Sequence, residues 1–365
     1  MPTRRQIISG LLAGLAAGSV AGGKPSARSD NPGILRISFG SCVSQRKDQA
    51  VWTQIASKRP QCFVMMGDGI YPEHEGVELP VLEAIEKAYA RASALGDLAG
   101  FRKQVETIAM WDDNDYGGSD IGAVFEDKCR SRDLFLDFWA SPEEREARRR
   151  NSGIYGLWEL GPPERRTQII LLDLRFCRSE WAQAEGSYRQ TLSESGFGPY
   201  RQTSGSGITM LGETQWAWLA SCLSKPARLR VLVSSIQLVA EGRGWESWSN
   251  FPAEKQRLLD LIRSTEAQGV VVLSGDTHYA EVSRQDDSVL GYPVWEFTSS
   301  GLTEFWPSPG PNPNRVGRAY PQTNFGLLTV NWLADHPMIV GEIFAAGGRQ
   351  LRQESIPLDT LSRRA

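Results

Sequence analysis

The sequence predicts an α/β fold, and three features of the chain predict it. Six short apolar runs are spread along it, patterns with helical spacing fall between them, and each run ends in a polar motif. Strands alternating with amphipathic helices make sheets covered by helices, an α/β sandwich.

The runs are 34–39, 63–66, 108–110, 169–172, 231–233 and 270–273. Apolar residues dominate each, as in strands buried on both faces. Helical spacing covers 77–95, 125–139, 213–223 and 253–266. In the last of these, Leu258, Leu259 and Ile262 form one apolar stripe with charges opposite. The stretch 180–207, full of Ser, Gly and Gln, reads as a long surface loop or insertion. The basic run 145–150, interleaved with Glu, reads as an exposed helix face. One domain is expected over 34–348, preceded by a Gly/Pro/Ser-rich linker at 22–33. A polar tail, 349–365, is expected to fray.

With 41% hydrophobic and 23% charged residues, the chain has the composition of a soluble globular protein. Its net charge of −3 gives no basic excess to hold nucleic acid. Residues 1–21 combine a charged start, an apolar run and Ser19-Val20-Ala21, an A-x-A-like cleavage site. The pair Arg4-Arg5 resembles a twin-arginine export signal. The uncharged stretch 6–23 is rich in Gly and Ala and makes a poor spanning helix. These features predict a monomer, periplasmic or secreted, without a membrane span and handed to the export machinery by its signal. Five cysteines, an odd number, leave at least one thiol free, and Cys42 is the candidate.

The chemistry lies in the polar motifs that end the runs. Gly40-Ser41-Cys42 comes after the first, Gly67-Asp68-Gly69-Ile70-Tyr71 after the second, and Asp112-Asp113-Asn114-Asp115 after the third. Asp173-Leu174-Arg175, Ser235-Ile236-Gln237 and Gly275-Asp276-Thr277-His278 come after the others. Any one of these motifs alone reads as a turn. Six of them at the carboxyl ends of strands read as a site. Asp68, Asp113 and Asp276 converge with no matching cluster of Lys, so bound cations are needed to neutralise them. Oxygen ligands suit Ca, Mg, Mn or ferric iron, while Cys42 and His278 add a softer position, where Zn also fits. A cation lowers the pKa of a bound water and polarises a phosphoryl oxygen, which points to a multinuclear metallohydrolase.

Together these motifs resemble the PhoD-like family of alkaline phosphatases, a branch of the calcineurin-like metallophosphoesterases. The resemblance runs from about residue 34 to 301, with weaker support from Gly212-Glu213-Thr214-Gln215 and Glu246-Ser247-Trp248. It implies a single-domain, four-layer αββα sandwich with metal ligands on the loops between two sheets. It also implies one ferric iron with calcium ions, cleaving phosphomonoesters or phosphodiesters. Cys42, Asp68, Tyr71 and Asp276 match the iron-side positions, and Asp113 the calcium side. The chain departs from the pattern at Asn114, where the family has His, and near Ser119, where it has Asn. An amide can bind phosphate but is no general acid. Large members carry an amino-terminal β-sandwich domain, for which the residues before Ile34 leave no room.

Arg175 either binds phosphate or pairs with Asp173 or another acid. His278 either holds a metal or orients the nucleophile. Trp245 and Trp248 either wall a substrate pocket or pack in the core. The leading functional expectation is an exported metal-dependent phosphoesterase acting on a small phosphate ester. Its catalytic residues would be Asn114, Arg175 and His278, and its metal ligands Cys42, Asp68, Tyr71, Asp113, Asp276 and His278. The alternatives are a phosphodiesterase or phospholipase D-like enzyme, and a non-catalytic phosphate- or metal-binding homologue.

Overall fold

The computed structural model describes residues 33–75, 79–186, 197–286 and 289–363. The signal 1–21 and all of the linker except Gly33 lie outside the described residues. Three strands, β1 (Ile34–Gly40), β2 (Cys62–Met66) and β3 (Glu106–Met110), run parallel in one sheet. On its other edge β1 pairs antiparallel with β12 (Asn324–Asn331), which continues into β13 (Met338–Ala345) and β14 (Gln350–Pro357). The second six-stranded sheet has β5 (Thr167–Leu171), β8 (Leu229–Ser234), β9 (Val270–Ser274) and β11 (Val294–Ser299) parallel at its centre. Antiparallel β4 (Gly156–Leu160) and β10 (Ala280–Gln285) close its two edges.

The sheets meet face to face, and helices cover their outer sides. A Cβ on Gly341 of β13 would stand 2.2 Å from the Phe297 ring of β11, so glycine there lets the sheets approach. Helices α1 (Val51–Ser57) and α3 (Gly96–Gln104) pack on the first sheet through Trp52 and Phe101, whose ring centroids lie 5.3 and 5.6 Å from that of Phe63. Between them in the chain runs α2 (Val81–Ser93), and α4 (Asp113–Tyr116), α5 (Lys128–Trp139) and α6 (Pro142–Arg149) come later. On the second sheet, Gln168 of β5 donates to the Cys222 carbonyl of α7 (Glu213–Leu223) at 3.2 Å. Alongside α7 lies α8 (Pro252–Ser264), with Pro252 at its first turn, where a missing N–H costs nothing. The result is the α/β sandwich the alternation predicts.

Three expectations are corrected. The polar tail does not fray: 350–357 is the edge strand β14, and Ile356, Leu358 and Leu361 after Arg349 are buried. Its charges belong to an edge, where they discourage pairing with other chains. The stretch 180–207 is not wholly a surface loop. It holds the short ladder of β6 (Ala182–Gln183) with β7 (Tyr200–Arg201), and buried Trp181 stacks on Tyr200 at 5.4 Å. Arg148 is not on an exposed helix face. It is 1% exposed and donates to the carbonyls of Ile154 and Ala109 at 2.8 Å, fixing α6 to the end of β3. Among the described residues no helix is long and apolar enough to cross a membrane.

Truncation after Gly348 tests the reading of the tail. Loss of β14 and of three buried aliphatic side chains should cost about 4 kcal/mol or more, seen as a lower urea midpoint. A tail that frays would leave the midpoint unchanged.

Candidate metal centre

Every parallel strand delivers its motif to the same edge of the sandwich. Cys42 lies two residues past β1, Asp68 two past β2, Asp112 two past β3 and Asp276 two past β9. A bridge between Ser41 and Ser300 ties the ends of β1 and β11, joining the sheets beside the site. The turns are sharp. Cys42, Asp68, Asp276 and His278 have φ of 63°, 53°, 68° and 58°, in the left-handed region that side chains avoid. Gly67, at φ 103°, has no alternative: a Cβ there would stand 2.5 Å from Asp112 Cβ.

Three overlapping groups of potential ligands result. The donor atoms of Cys42, Asp68 and His278 lie within 4.8 Å of one another, as do those of Asp68, Asp112 and Asp113, and those of Asp113, Asp120 and Glu246. The Tyr71 hydroxyl donates to Asp68 Oδ2 at 3.3 Å and stands 2.9 Å from His278 Nε2. The Asn114 side-chain amide donates to Asp68 and Asp113 at 3.1 Å, bridging the two carboxylates. Asp276 belongs to none of the three groups but lines the same cavity, of about 350 Å³, as Asp68, Asp113, Asn114 and His278. Cys42 is an unpaired thiol, as are the other four cysteines.

This donor set fits metal cations. Burial and then Asp113 and Asp112 push the Asp68 carboxyl well above the ordinary range; burial and then Glu246 do the same to Asp276. Oδ2 of Asp112 is buried with no hydrogen-bond partner among the described residues, an oxygen lacking the cation or donor it needs. Carboxylates, a phenol, a thiol and an imidazole around one cavity suit hard cations together with a softer position.

Arg175 is not placed to bind phosphate. Its Nη1 and Nη2 donate to the two oxygens of Glu246 at 2.7 Å, and its Nε donates to Asp112 Oδ1 at 2.7 Å. The guanidinium is 1% exposed, and Asp173 accepts only its backbone N–H. Burial opposes charge on Glu246, yet Arg175 and Arg178 hold its pKa at about 2. Asp112, where burial outweighs the shared arginine, is pushed up to about 7. Trp248 is core, whereas Trp245 is 43% exposed and lines the cavity. Sequence reasoning missed Asp120, Glu246 as a site acid, and Arg243, which among the described residues is the cavity's one lining Lys or Arg.

Replacing Arg175 by Met separates these roles. Stranding Asp112 and Glu246 should cost about 3–5 kcal/mol of folding stability, read by denaturant titration. A phosphate-binding arginine would lose affinity for phosphate with the unfolding midpoint unchanged.

The PhoD-like phosphatase family matches this chain over residues 38–330. Alkaline phosphatase D of Bacillus subtilis (strain 168) is 31% identical over 117 residues, which span 30% of this chain and 18% of that protein. The chain therefore aligns with about a fifth of the curated relative's length. Among solved structures, that of PhoD superposes with a TM-score of 0.59 at 17% identity, covering 88% of this chain and 72% of that one. GAP50, "the anchor in the inner membrane complex of Plasmodium", superposes at 0.54 with 13% identity and 89% of each chain covered. The two structures share the fold. With the family match running from the first strand to β12, the chain belongs to the PhoD-like phosphatases.

Proposed function

We propose that this protein is a metal-dependent phosphoesterase that hydrolyses small phosphomonoesters, phosphodiesters or both. The observation that carries the reading is the chain of three ligand groups sharing Asp68 and Asp113, beside one cavity. Cys42, Asp68, Tyr71, Asp276 and His278 would hold a ferric iron, and Asp68, Asp112 and Asp113 calcium; Mn, Mg or Zn are the competitors for these places. Bound there, such cations polarise a phosphoryl oxygen and make water a nucleophile at neutral pH. The charged start, apolar run and Arg4-Arg5 pair of residues 1–21 support export to the periplasm or medium, where the protein would act as a monomer.

The protein's own groups have distinct tasks. Arg243, 4% exposed and without a carboxylate partner among the described residues, holds the phosphoryl anion, the task expected of Arg175. His278 is buried enough that its pKa is lowered, and it stays neutral at neutral pH, fixing the Tyr71 hydroxyl at its Nε2. Asn114 orients by hydrogen bonds and cannot protonate a leaving group. That substitution also favours a second reading, a non-catalytic homologue that binds metal and phosphate without turnover.

Metal analysis and a p-nitrophenyl phosphate assay decide first. The purified protein should carry iron and calcium and turn over the ester. Full metal content without turnover would favour the non-catalytic reading. Asp68→Asn should abolish hydrolysis, lower metal content and remove the rise in thermal midpoint that metal addition gives wild type, with circular dichroism unchanged. Retained activity at full metal occupancy would refute the role of Asp68.

Asn114 makes a finer prediction. Without a general acid, aryl esters should react well, and alkyl esters should be slower by the ~10²–10⁴ such catalysis supplies. Asn114→His should narrow that gap mainly through the alkyl substrates, measured as kcat/KM for each. Equal losses for both would make Asn114 a metal-site residue instead.

A further inference from the structure

Exposed indoles line the cavity, and the hydrolytic reading does not use them. Trp245 and Trp306 line it while 43% and 56% exposed. Large apolar rings left in solvent beside a polar site mark a binding surface. Tyr279 also lines the cavity, 1% exposed, with a buried hydroxyl that has no hydrogen-bond partner among the described residues. Arg243 packs its guanidinium 5.3 Å from the Tyr279 ring centroid, and its Nε likewise has no partner. Two nine-tenths-buried polar side chains with unpartnered atoms thus adjoin two exposed indoles.

The rings are tied by backbone to the elements that carry the candidate ligands. Trp306 N–H donates to the His278 carbonyl at 2.6 Å, and the N–H groups of Thr303 and Glu304 donate to the Cys42 carbonyl at 3.1 and 3.2 Å. The Asn250 amide donates to the Trp245 carbonyl at 3.1 Å, and Tyr200 N–H donates to the Gly244 carbonyl at 2.8 Å. Backbone anchoring of this kind lowers the entropy lost when a ligand is clasped.

We infer that Trp245 and Trp306 form a subsite for a planar aromatic ring carried by the organic group of a phosphoester, with Arg243 at the phosphoryl end. The inference rests on the phosphoesterase reading and names its substrate class. A neutral ring is favoured over a quaternary ammonium, because Arg243 already covers the Tyr279 face and would repel a second cation.

The test measures binding and turnover separately. Dissociation constants for phenylphosphonate, methylphosphonate and phosphocholine are obtained by calorimetry on the metal-loaded protein, wild type and Trp245→Ala, Trp306→Ala and Trp306→Phe. Wild type should bind phenylphosphonate about tenfold more tightly than methylphosphonate, the scale of one aromatic contact. Each alanine variant should shrink that ratio while leaving methylphosphonate affinity unchanged, and Trp306→Phe should keep most of it. A wild-type ratio near one, parallel loss of both phosphonates in the alanine variants, or tighter binding of phosphocholine would each overturn the subsite. An absence of ester turnover with the ratio intact would overturn the hydrolytic reading and leave the subsite standing.

Discussion

More negative charge converges at the carboxyl edge of this sandwich than a buried site can hold unaided. Asp68, Asp112, Asp113, Asp276 and Glu246 gather in and around one cavity, where two like charges 4 Å apart repel by about 4 kcal/mol even at an effective dielectric of 20. The protein answers part of the problem itself. Arg175 neutralises Glu246 and shares Asp112, while Asn114, Tyr71 and Cys42 turn their hydrogens towards Asp68. What remains, Asp68 and Asp276 with carboxyls pushed well up, is a deficit of positive charge that metal ions would fill.

The backbone is shaped around the same requirement. Four of the seven non-glycine residues described with positive φ are Cys42, Asp68, Asp276 and His278. Each such conformation costs of order 1–3 kcal/mol and persists only where surrounding structure enforces it. The enforcement is visible: Cys42 N–H donates to the Gly67 carbonyl, Val43 N–H to the Asp68 carbonyl, and Gly275 N–H to the Ser235 carbonyl. Gly275 itself is pressed against Ser41, whose Oγ a Cβ would approach to 2.5 Å. The two sheets therefore lock each other's turns.

Sequence legibility tracks the physics of each element. Six of the seven parallel strands were readable because burial makes them apolar; β11, which carries Glu296 and Thr298, was not. The return strands β12 to β14 and the edges β4 and β10 were not: charge is mixed into β4, β10, β13 and β14, as in Arg352 and Glu354 of β14, and β12 is interrupted by Asn324, Gly326 and Thr329. Cys42, Asp68, Tyr71, Asp113 and His278 were found because each comes within a few residues of a strand end, and the structure does bring them together. Arg175 could be read either way from sequence, as a phosphate ligand or as an ion-pair partner, because its partners, Asp112 and Glu246, come from distant loops and nothing local announces them. Arg243 stands in no motif at all, and only the folded path of the chain, which brings Arg243, Trp245 and Glu246 to the cavity lining, puts it at the candidate site.

The pairing of β1 with β12 has a consequence for how the protein is made. The second sheet comes from one continuous stretch between β4 and β11, whereas Ile34 must find Asn331 before the first sheet is whole. Pairings so far apart in the chain are slow to form. A ribosome therefore releases nearly the entire polypeptide before β1 gains its second neighbour. Until then Phe39, which packs against Gly326 in the finished sheet, has no covering strand on that side. The last open edge of the emerging chain accordingly lies in its amino-terminal third, the part that carries Cys42, Asp68 and Asp113.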